Sequence, residues 1–212
     1  MQATPANQAN YSGGEKAILE AAESLFAEKG FDAVSMSAIA RLANTSKPNI
    51  YHHFKNKDDL YLAVMKTAVQ RSSALLDSLE ESPGSYAQHL AEFSAGQLQN
   101  ILTHSRSTRL ILRETLSISS PRQQEIAEQV VGGVFNKLVA MIRAGQQDNE
   151  FRKDLDPALA AFMIVAANMF FFQAGSVMQH IPETGFPNDS KLFNQGVMDI
   201  MFKGLLKEGK NQ

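Results

Sequence analysis

Side chains able to bind nucleic acid are concentrated between residues 35 and 54 of this 212-residue chain. Ile50 and Phe54 lie four residues apart and should pack inward on a helix. The side chains left facing outward are Lys47, Asn49, Tyr51, His52 and Lys55. Cations bind phosphates, while amide, phenol and imidazole groups can reach base edges in a major groove. Residues 33–57 include no Asp or Glu, although the whole chain has a formal charge of -2, so we predict a local DNA-binding face.

Two short helices separated by a tight turn should position these side chains. Ser35 is a suitable N-cap for the first helix, whose apolar face repeats at i, i+3, i+4 and i+7 as Met36, Ile39, Ala40 and Ala43. Asn44 tolerates the left-handed conformation and can end this helix. Thr45 or Ser46 can cap the second helix, with Pro48 in its first turn. Periodicity alone fits a solvated helical hairpin with surface lysines equally well.

The residues around these helices resemble the TetR family of bacterial transcriptional regulators. The resemblance is carried by Ile-Tyr-His-His-Phe-Lys-Asn-Lys-Asp-Asp-Leu at 50–60 and Glu-Lys-Gly-Phe at 28–31. Where the family usually has Gly at the turn, this chain has Asn44, which can also adopt a positive φ. The resemblance implies a DNA-binding head of three helices, an all-helical body that binds an effector, a homodimer and control of transcription.

The expected DNA contacts lie on the two short helices and the linker that follows them. Lys47 and Lys55 are expected mainly on phosphates, and Asn49 or His52 nearest the bases. The full predicted set is Ser35, Thr45, Ser46, Lys47, Pro48, Asn49, Tyr51, His52, Lys55 and Lys57. The predicted partner is a double-stranded DNA operator.

Helical patterns continue along the chain, so the predicted fold class is all-α with about nine helices. The first should open with a capping box, Ser12 to Glu15, and Asn56 and Asp59 should repeat this arrangement at the start of the fourth. Later helices are expected at about 84–103, 106–118, 121–147, 157–179 and 190–206. Ser120 and Asp156 should each cap a helix that begins with Pro. We predict a helix-turn-helix domain at 12–72, with its motif at about 35–54, and a ligand-binding and dimerisation domain at 80–208.

The predicted eighth helix has no Asp, Glu, Lys or Arg between residues 157 and 181. About 20 apolar residues suffice to span a bilayer. A helix that is apolar all round is also expected where one face packs in a core and the other against a partner subunit, and we favour this interpretation over a membrane span. The resemblance implies a dimer interface on the last two helices, with Phe162, Val177, Phe193, Val197, Ile200, Met201 and Leu205 as candidates.

The resemblance also implies an effector pocket between the fourth and eighth helices. The candidate lining is Phe93, Gln97, Leu112, Leu116, Phe135, Leu138, Met141, Asn168, Met169, Phe172 and Gln173. Each of these side chains, like His89, could instead be core packing or a satisfied buried polar group. Because Phe and Met dominate the set, the expected effector is a small, mainly apolar molecule.

Other function classes find little support in the sequence. There is no Cys, which excludes a disulfide framework and a thiol nucleophile, and residues 1–12 lack the pattern of a signal peptide. Gly-rich phosphate loops, Gly-x-Ser-x-Gly and helical His pairs are absent, so we predict no catalytic residue, cofactor or metal site. The remaining alternative is a helical adaptor or scaffold without sequence-specific DNA binding. We expect a cytoplasmic, homodimeric repressor that binds a palindromic operator and is released by its effector.

Overall fold

The computed structural model describes residues 12–117 and 121–205. Its helices are α1 (Gly13–Lys29), α2 (Met36–Leu42), α3 (Lys47–His53), α4 (Lys57–Glu80), α5 (Tyr86–Thr103), α6 (Ser105–Leu116), α7 (Gln123–Ile126), a π-helical turn (Ala127–Val131), α8 (Gly132–Gln147), α9 (Pro157–Met178) and α10 (Ser190–Leu205). No β-strand occurs in this part of the chain. The all-α fold class is confirmed, and α7, the π-helical turn and α8 follow one another within the stretch predicted as one helix.

Predicted capping residues begin five of the helices: α1, α2, α3, α4 and α9. The hydroxyl of Ser12 accepts a hydrogen bond from the backbone amide of Glu15 at 3.4 Å. At the start of α4, the Asp59 amide donates to Asn56 Oδ1 at 2.8 Å. Asp156 Oδ1 accepts from two backbone amides of the first turn of α9, at 2.7 and 3.3 Å. These starts are predictable because each cap lies within four residues of its partner.

The start of α7 differs from the expectation. Pro121 and Arg122 form a turn, and Arg122 occupies the N-cap position without a side-chain cap, while Ser120 lies outside the described residues. The Arg122 side chain is engaged elsewhere, because its Nη2 donates to Asp58 Oδ1 at 2.8 Å and its guanidinium lies 3.8 Å from the centre of the Phe31 ring. A tertiary contact therefore holds this turn, and the predicted helix start at Pro121 is wrong.

The chain packs as two compact units. Within the described residues, unit 1 consists of 12–70, 106–117 and 121–130, and unit 2 of 71–105 and 131–205. Helix α6 therefore packs with the N-terminal helices, although it follows the chain break at Ser82-Pro-Gly84 in sequence. The functional division into domains at 12–72 and 80–208 stays a prediction.

An aromatic and ionic cluster stabilises unit 1. The rings of Phe26, Phe31 and Tyr61 are in mutual contact, with centroids 4.9 to 5.8 Å apart. The fully buried Tyr61 hydroxyl donates to Glu114 Oε1 at 2.8 Å, and Arg113 Nη2 donates to the Phe26 carbonyl at 2.9 Å. Burial, reinforced by the Glu114 carboxylate, raises the pKa of Tyr61 to about 12. These contacts tie α6 to α1 and α4.

Unit 2 packs α5, α8, α9 and α10 around a core that includes Phe93, Leu138 and Ile164. Gly145 allows the close packing at the end of α8, since an added Cβ would lie 2.5 Å from the Phe151 ring. Within residues 12–117 and 121–205, α9 is the one helix that is long and apolar enough to cross a membrane, judged by length and composition. Only 28% of its most apolar 18-residue stretch is buried. Its buried residues recur every three or four positions, so α9 has one covered and one uncovered face.

The first prediction concerns the hydrogen bond between Tyr61 and Glu114. Tyr61→Phe should lower the free energy of unfolding by about 1–2 kcal/mol at neutral pH, because a buried carboxylate loses a donor. The folded pKa of Tyr61, about 12, exceeds the unfolded value of 10.0, so stability linked to this group is complete below pH 10.0 and is lost as the pH rises toward about 12.

Urea unfolding of both proteins at about pH 7 and about pH 11 measures this effect. Tyr51→Phe, which alters a half-exposed hydroxyl, is the control. The unaltered protein should lose more stability than Tyr61→Phe between the two pH values. Equal unfolding midpoints for the two proteins at neutral pH would contradict the assignment.

Candidate functional site

Helices α2 and α3 meet across a tight turn at Asn44, whose φ of 50° is the left-handed conformation expected from the sequence. The hydroxyls of Ser35 and Ser46 cap α2 and α3 by accepting from the backbone amides three residues further along, at 3.2 and 3.3 Å. Ile39 and Ile50, one from each helix, are fully buried. The caps and the buried pair hold α3 with a defined face toward solvent.

That outward face contains the predicted side chains. Lys47, Pro48, Tyr51 and His52 are exposed on α3, and Lys55 is exposed just beyond it. Asn49 is partly buried, and its Nδ2 donates to Thr45 Oγ1 at 2.9 Å. Because no acid occurs in residues 33–57, Lys47 and Lys55 are free of ion pairs from within this segment. The face offers positive charge next to aromatic and amide groups.

Lys57 has a different position from the other predicted contacts. Its Nζ donates to the carbonyls of Phe31 and Val34, at 2.9 and 3.1 Å, and lies 4.1 Å from the centre of the Phe31 ring. This ammonium group therefore holds the connection between α1 and α2. The sequence offered no indication of this, since the partners lie 23 and 26 residues away.

Comparison with known proteins identifies the fold and this motif. Residues 18–64 match the family described as bacterial regulatory proteins, tetR family, and residues 83–171 match the tetracyclin repressor-like C-terminal domain. The uncharacterized HTH-type transcriptional regulator YdeS of Bacillus subtilis is 30% identical over 149 residues, which are 68% of this chain and 70% of YdeS. The chain belongs to the TetR family. It is therefore a transcriptional regulator with an N-terminal helix-turn-helix domain and a C-terminal helical domain.

Two further transcriptional regulators align with most of the chain. The HTH-type transcriptional regulator RutR of Escherichia coli strain K12 is 25% identical over 189 residues, covering 89% of this chain and 87% of RutR. The crystal structure of the transcriptional regulator FadR from Bacillus subtilis in complex with stearoyl-CoA has a TM-score of 0.72 at 21% identity, covering 89% of this chain and 98% of that one. The second likeness establishes a shared fold.

The C-terminal part of this TetR-family protein contains a cavity of about 750 Å³ within unit 2. It lies among the end of α4, the start of α5 and α8. Its apolar wall consists of Leu76, Ala140, Met141 and Ala144. The rest of the lining is polar or glycine: Glu80, Ser82, Gly84, Tyr86, His89, Lys137 and Asp148. The cavity is thus amphipathic, with a more polar lining than the sequence predicted.

Several polar groups of this lining already have partners. Lys137 Nζ donates to Ser73 Oγ at 3.0 Å and to the Asp77 carboxylate. The Asp148 carboxylate near the Tyr86 hydroxyl raises the pKa of Tyr86. The ammonium group of Lys137 is therefore paired with Asp77, whereas no lysine or arginine of the lining pairs with Asp148.

The predicted ligand-binding residues do not form one cluster. Met141 borders the cavity, while Phe93 and Leu138 are buried core residues and Phe135 packs against that core. Asn168 is buried and its Nδ2 donates to Gln97 Oε1 at 3.0 Å. On α9, Met169 and Phe172 are partly buried and Gln173 is exposed; on α6, in unit 1, Leu112 is partly buried and Leu116 exposed.

Sequence reasoning missed most of the cavity lining, and several of these residues lie at or beyond helix ends. Glu80 ends α4, Tyr86 begins α5 and Asp148 follows α8, so helical periodicity does not indicate what they face. The chain break at Ser82-Pro-Gly84 was the one sequence feature that could have indicated the position of the cavity, since Ser82 and Gly84 form part of its wall. Among residues 12–117 and 121–205, no three His, Asp or Glu side chains are grouped to hold a metal ion.

The second prediction tests the exposed face of α3. Lys55→Ala should weaken binding to all DNA sequences alike and reduce the slope of log affinity against log salt by about one unit, because one phosphate contact is lost. Fluorescence anisotropy with labelled duplexes at several salt concentrations measures both quantities. Lys203→Ala, which removes an exposed lysine of α10, is the control. If affinity and slope were unchanged in Lys55→Ala, the DNA-binding face would be misassigned.

Proposed function

We propose that this TetR-family protein is a ligand-responsive repressor that binds a palindromic operator as a homodimer in the cytoplasm and is released by a small, mainly apolar effector. The observation that carries the DNA-binding part is the exposed, acid-free face of α3, with Lys47, Tyr51 and His52 directed to solvent. Lysine charge supplies affinity for phosphates, and the neighbouring side chains can reach base edges.

The uncovered face of α9 supports the homodimer. Met163, Phe170 and Val177 are at least half exposed and lie seven residues apart, the spacing of a helix–helix seam. Phe162 on α9 and Ile200 on α10 add exposed apolar surface, at 58% and 72%. Exposed apolar surface of this kind usually marks an interaction site. A second copy accounts for it, and also for the apolar character of α9 without a membrane.

The remaining predicted interface residues have mixed positions. Phe193 is stacked on Phe171, with ring centroids 4.3 Å apart, and Val197 and Met201 are partly buried. The side chain of Leu205 lies outside the described part of the chain. Phe170, Phe193 and Val197 border a wholly apolar depression of about 260 Å³ between α9 and α10, into which a partner's side chain would fit.

Helix α4 is the proposed route from ligand to DNA. Its N-terminal part belongs to unit 1, where Asp58 binds Arg122, and its C-terminal part belongs to unit 2, where Leu76 and Glu80 line the cavity. The 24 residues of this helix span about 36 Å at roughly 1.5 Å per residue. We infer that a ligand favours a tilt of α4 that separates the two DNA-binding heads.

The nature of the effector is supported by the apolar wall of the cavity and by the likeness to FadR. The FadR structure contains stearoyl-CoA, a ligand with a long apolar chain. The wall formed by Leu76, Met141 and Ala144 suits an apolar portion of a ligand. Pockets of this type bind mainly through apolar contact, with a few polar groups that fix orientation.

The third prediction tests the homodimer. Ile200→Asp should give monomers with much weaker operator binding, because a charge would be buried in the seam. Ile200 is exposed in the single chain, so the substitution does not disturb the hydrophobic core of the subunit. Sedimentation velocity measures the oligomeric state, and a mobility shift on the best site selected from random duplexes measures affinity. Leu116→Asp, which alters an apolar residue 65% exposed on α6, is the control and should remain dimeric.

Two results would contradict this proposal. One is a monomeric unaltered protein at micromolar concentration. The other is a selected DNA site that lacks two-fold symmetry, since a two-fold dimer reads two equivalent half-sites.

The fourth prediction concerns release from DNA. An effector must bind the operator complex more weakly than the free protein, by the same factor by which it weakens DNA binding. A coupling of about 1–3 kcal/mol corresponds to a factor of roughly 5 to 150. Calorimetric titration of compounds that raise the melting temperature, against the free protein and against the operator complex, measures both affinities. Equal affinities would eliminate a compound as the effector, and tight binding of a highly charged metabolite would contradict the apolar assignment.

A further inference from the structure

One buried residue of the unit 2 cavity has an acceptor atom that lacks a donor. His89 lines the cavity and is only 7% exposed. The Ser82 hydroxyl donates its single proton to the Leu79 carbonyl at 2.9 Å, so toward His89 Nε2, 3.4 Å away, it can only accept. His89 Nε2 therefore holds the proton. Nδ1 is then the acceptor nitrogen of the imidazole, and it has no hydrogen-bond partner among the described residues.

The acidic side chains of the lining point to the same ligand chemistry. Glu80 forms no hydrogen bond or ion pair within the described part of the chain, and Asp148 lies near the Tyr86 hydroxyl. A carboxylate has about four lone-pair positions, so one hydroxyl leaves Asp148 able to accept further donors. The lining thus presents two carboxylates and an imidazole acceptor to a ligand.

Lys137, the lysine of the cavity lining, does not offset the negative charges of Glu80 and Asp148. Lys137 contacts the carboxylate of Asp77 and the hydroxyl of Ser73, so Asp77 already balances its charge. The nearby carboxylate of Glu150 is also engaged, accepting from the backbone amides of Tyr86 and Ala87 at 2.9 and 2.7 Å. Glu80 and Asp148 are left as a negative excess beside an apolar wall.

We propose that this cavity binds an amphipathic cation, in which a protonated amine faces Glu80, Asp148 and His89 and an apolar body lies along Leu76, Met141 and Ala144. The inference rests on the proposed ligand-responsive function and specifies its effector as an amine. An ammonium group supplies the donors and the positive charge that the lining lacks. An anion of the same shape would meet two carboxylates and is disfavoured.

The test compares three probes that share one chain: decylamine, decanol and decanoate. Calorimetric titration at neutral pH should show decylamine binding roughly tenfold more tightly than decanol, with decanoate weakest, because charge-assisted hydrogen bonds form only with the amine. Glu80→Gln and Asp148→Asn should each remove most of this preference and leave decanol binding unchanged. Asp199→Asn, which removes a unit 2 carboxylate paired with Lys203 on α10, is the matched control and should behave as the unaltered protein.

Three results would overturn the inference: equal or tighter binding of decanol or decanoate, an amine preference that survives in both cavity variants, or no binding by any probe. A mobility shift on the selected DNA site, without probe, separates this inference from the proposed function. If the unaltered protein binds its selected DNA site but shows no preference for the amine, the ligand class alone is refuted. Amine selectivity in a protein that selects no DNA site refutes the repressor and leaves the cavity assignment standing.

Discussion

An uncharged helix of 22 residues must be shielded from water on more than one side, and this requirement organises unit 2. Helices α5, α8 and α10 cover one face of α9, where Ala161, Ile164 and Asn168 are fully buried. The opposite face keeps large apolar side chains, among them Phe162 and Phe170, in solvent. A chain that left this face exposed would associate, so the composition of α9 accounts both for the core of the single chain and for the proposed dimer.

Inside that core, a small polar network determines which helices face one another. Asn168 of α9 donates to the Ser94 carbonyl at 3.0 Å, and Asn194 of α10 donates to Ser94 Oγ at 2.6 Å. Each hydrogen bond contributes only about 0.5–1.5 kcal/mol net of desolvation. Sliding α9 or α10 along α5 would break these bonds and leave buried amides unpaired, which costs about 1–3 kcal/mol for each group. The network therefore fixes the register of α5, α9 and α10, whose apolar surfaces alone would allow several registers.

The sequence predicted those features whose determining contacts are local. Caps such as Ser35 and Asp156 and the left-handed Asn44 were confirmed because their hydrogen bonds or backbone angles depend on residues within four positions. Lys57 and Arg122 were not predictable in the same way, because their partners lie 23 to 64 residues away. The cavity was not predicted for a related reason. Several of its lining residues lie at helix ends, where helical periodicity no longer indicates which way a side chain faces. Of the Phe and Met residues predicted to line a pocket, its apolar wall contains only Met141.

The placement of Glu80 on α4 gives the proposed switch a physical basis. A ligand shifts a conformational equilibrium only by the difference between its interaction energies with the two states. Apolar contacts change little when a helix tilts by a small angle, whereas a charge-assisted hydrogen bond weakens steeply with distance and angle. Because Glu80 is the last residue of α4 and Asp148 follows α8, an ammonium group held by both carboxylates would respond to movement of α4 against α8. The apolar wall would then supply most of the affinity, and the carboxylates most of the difference between states that regulation requires.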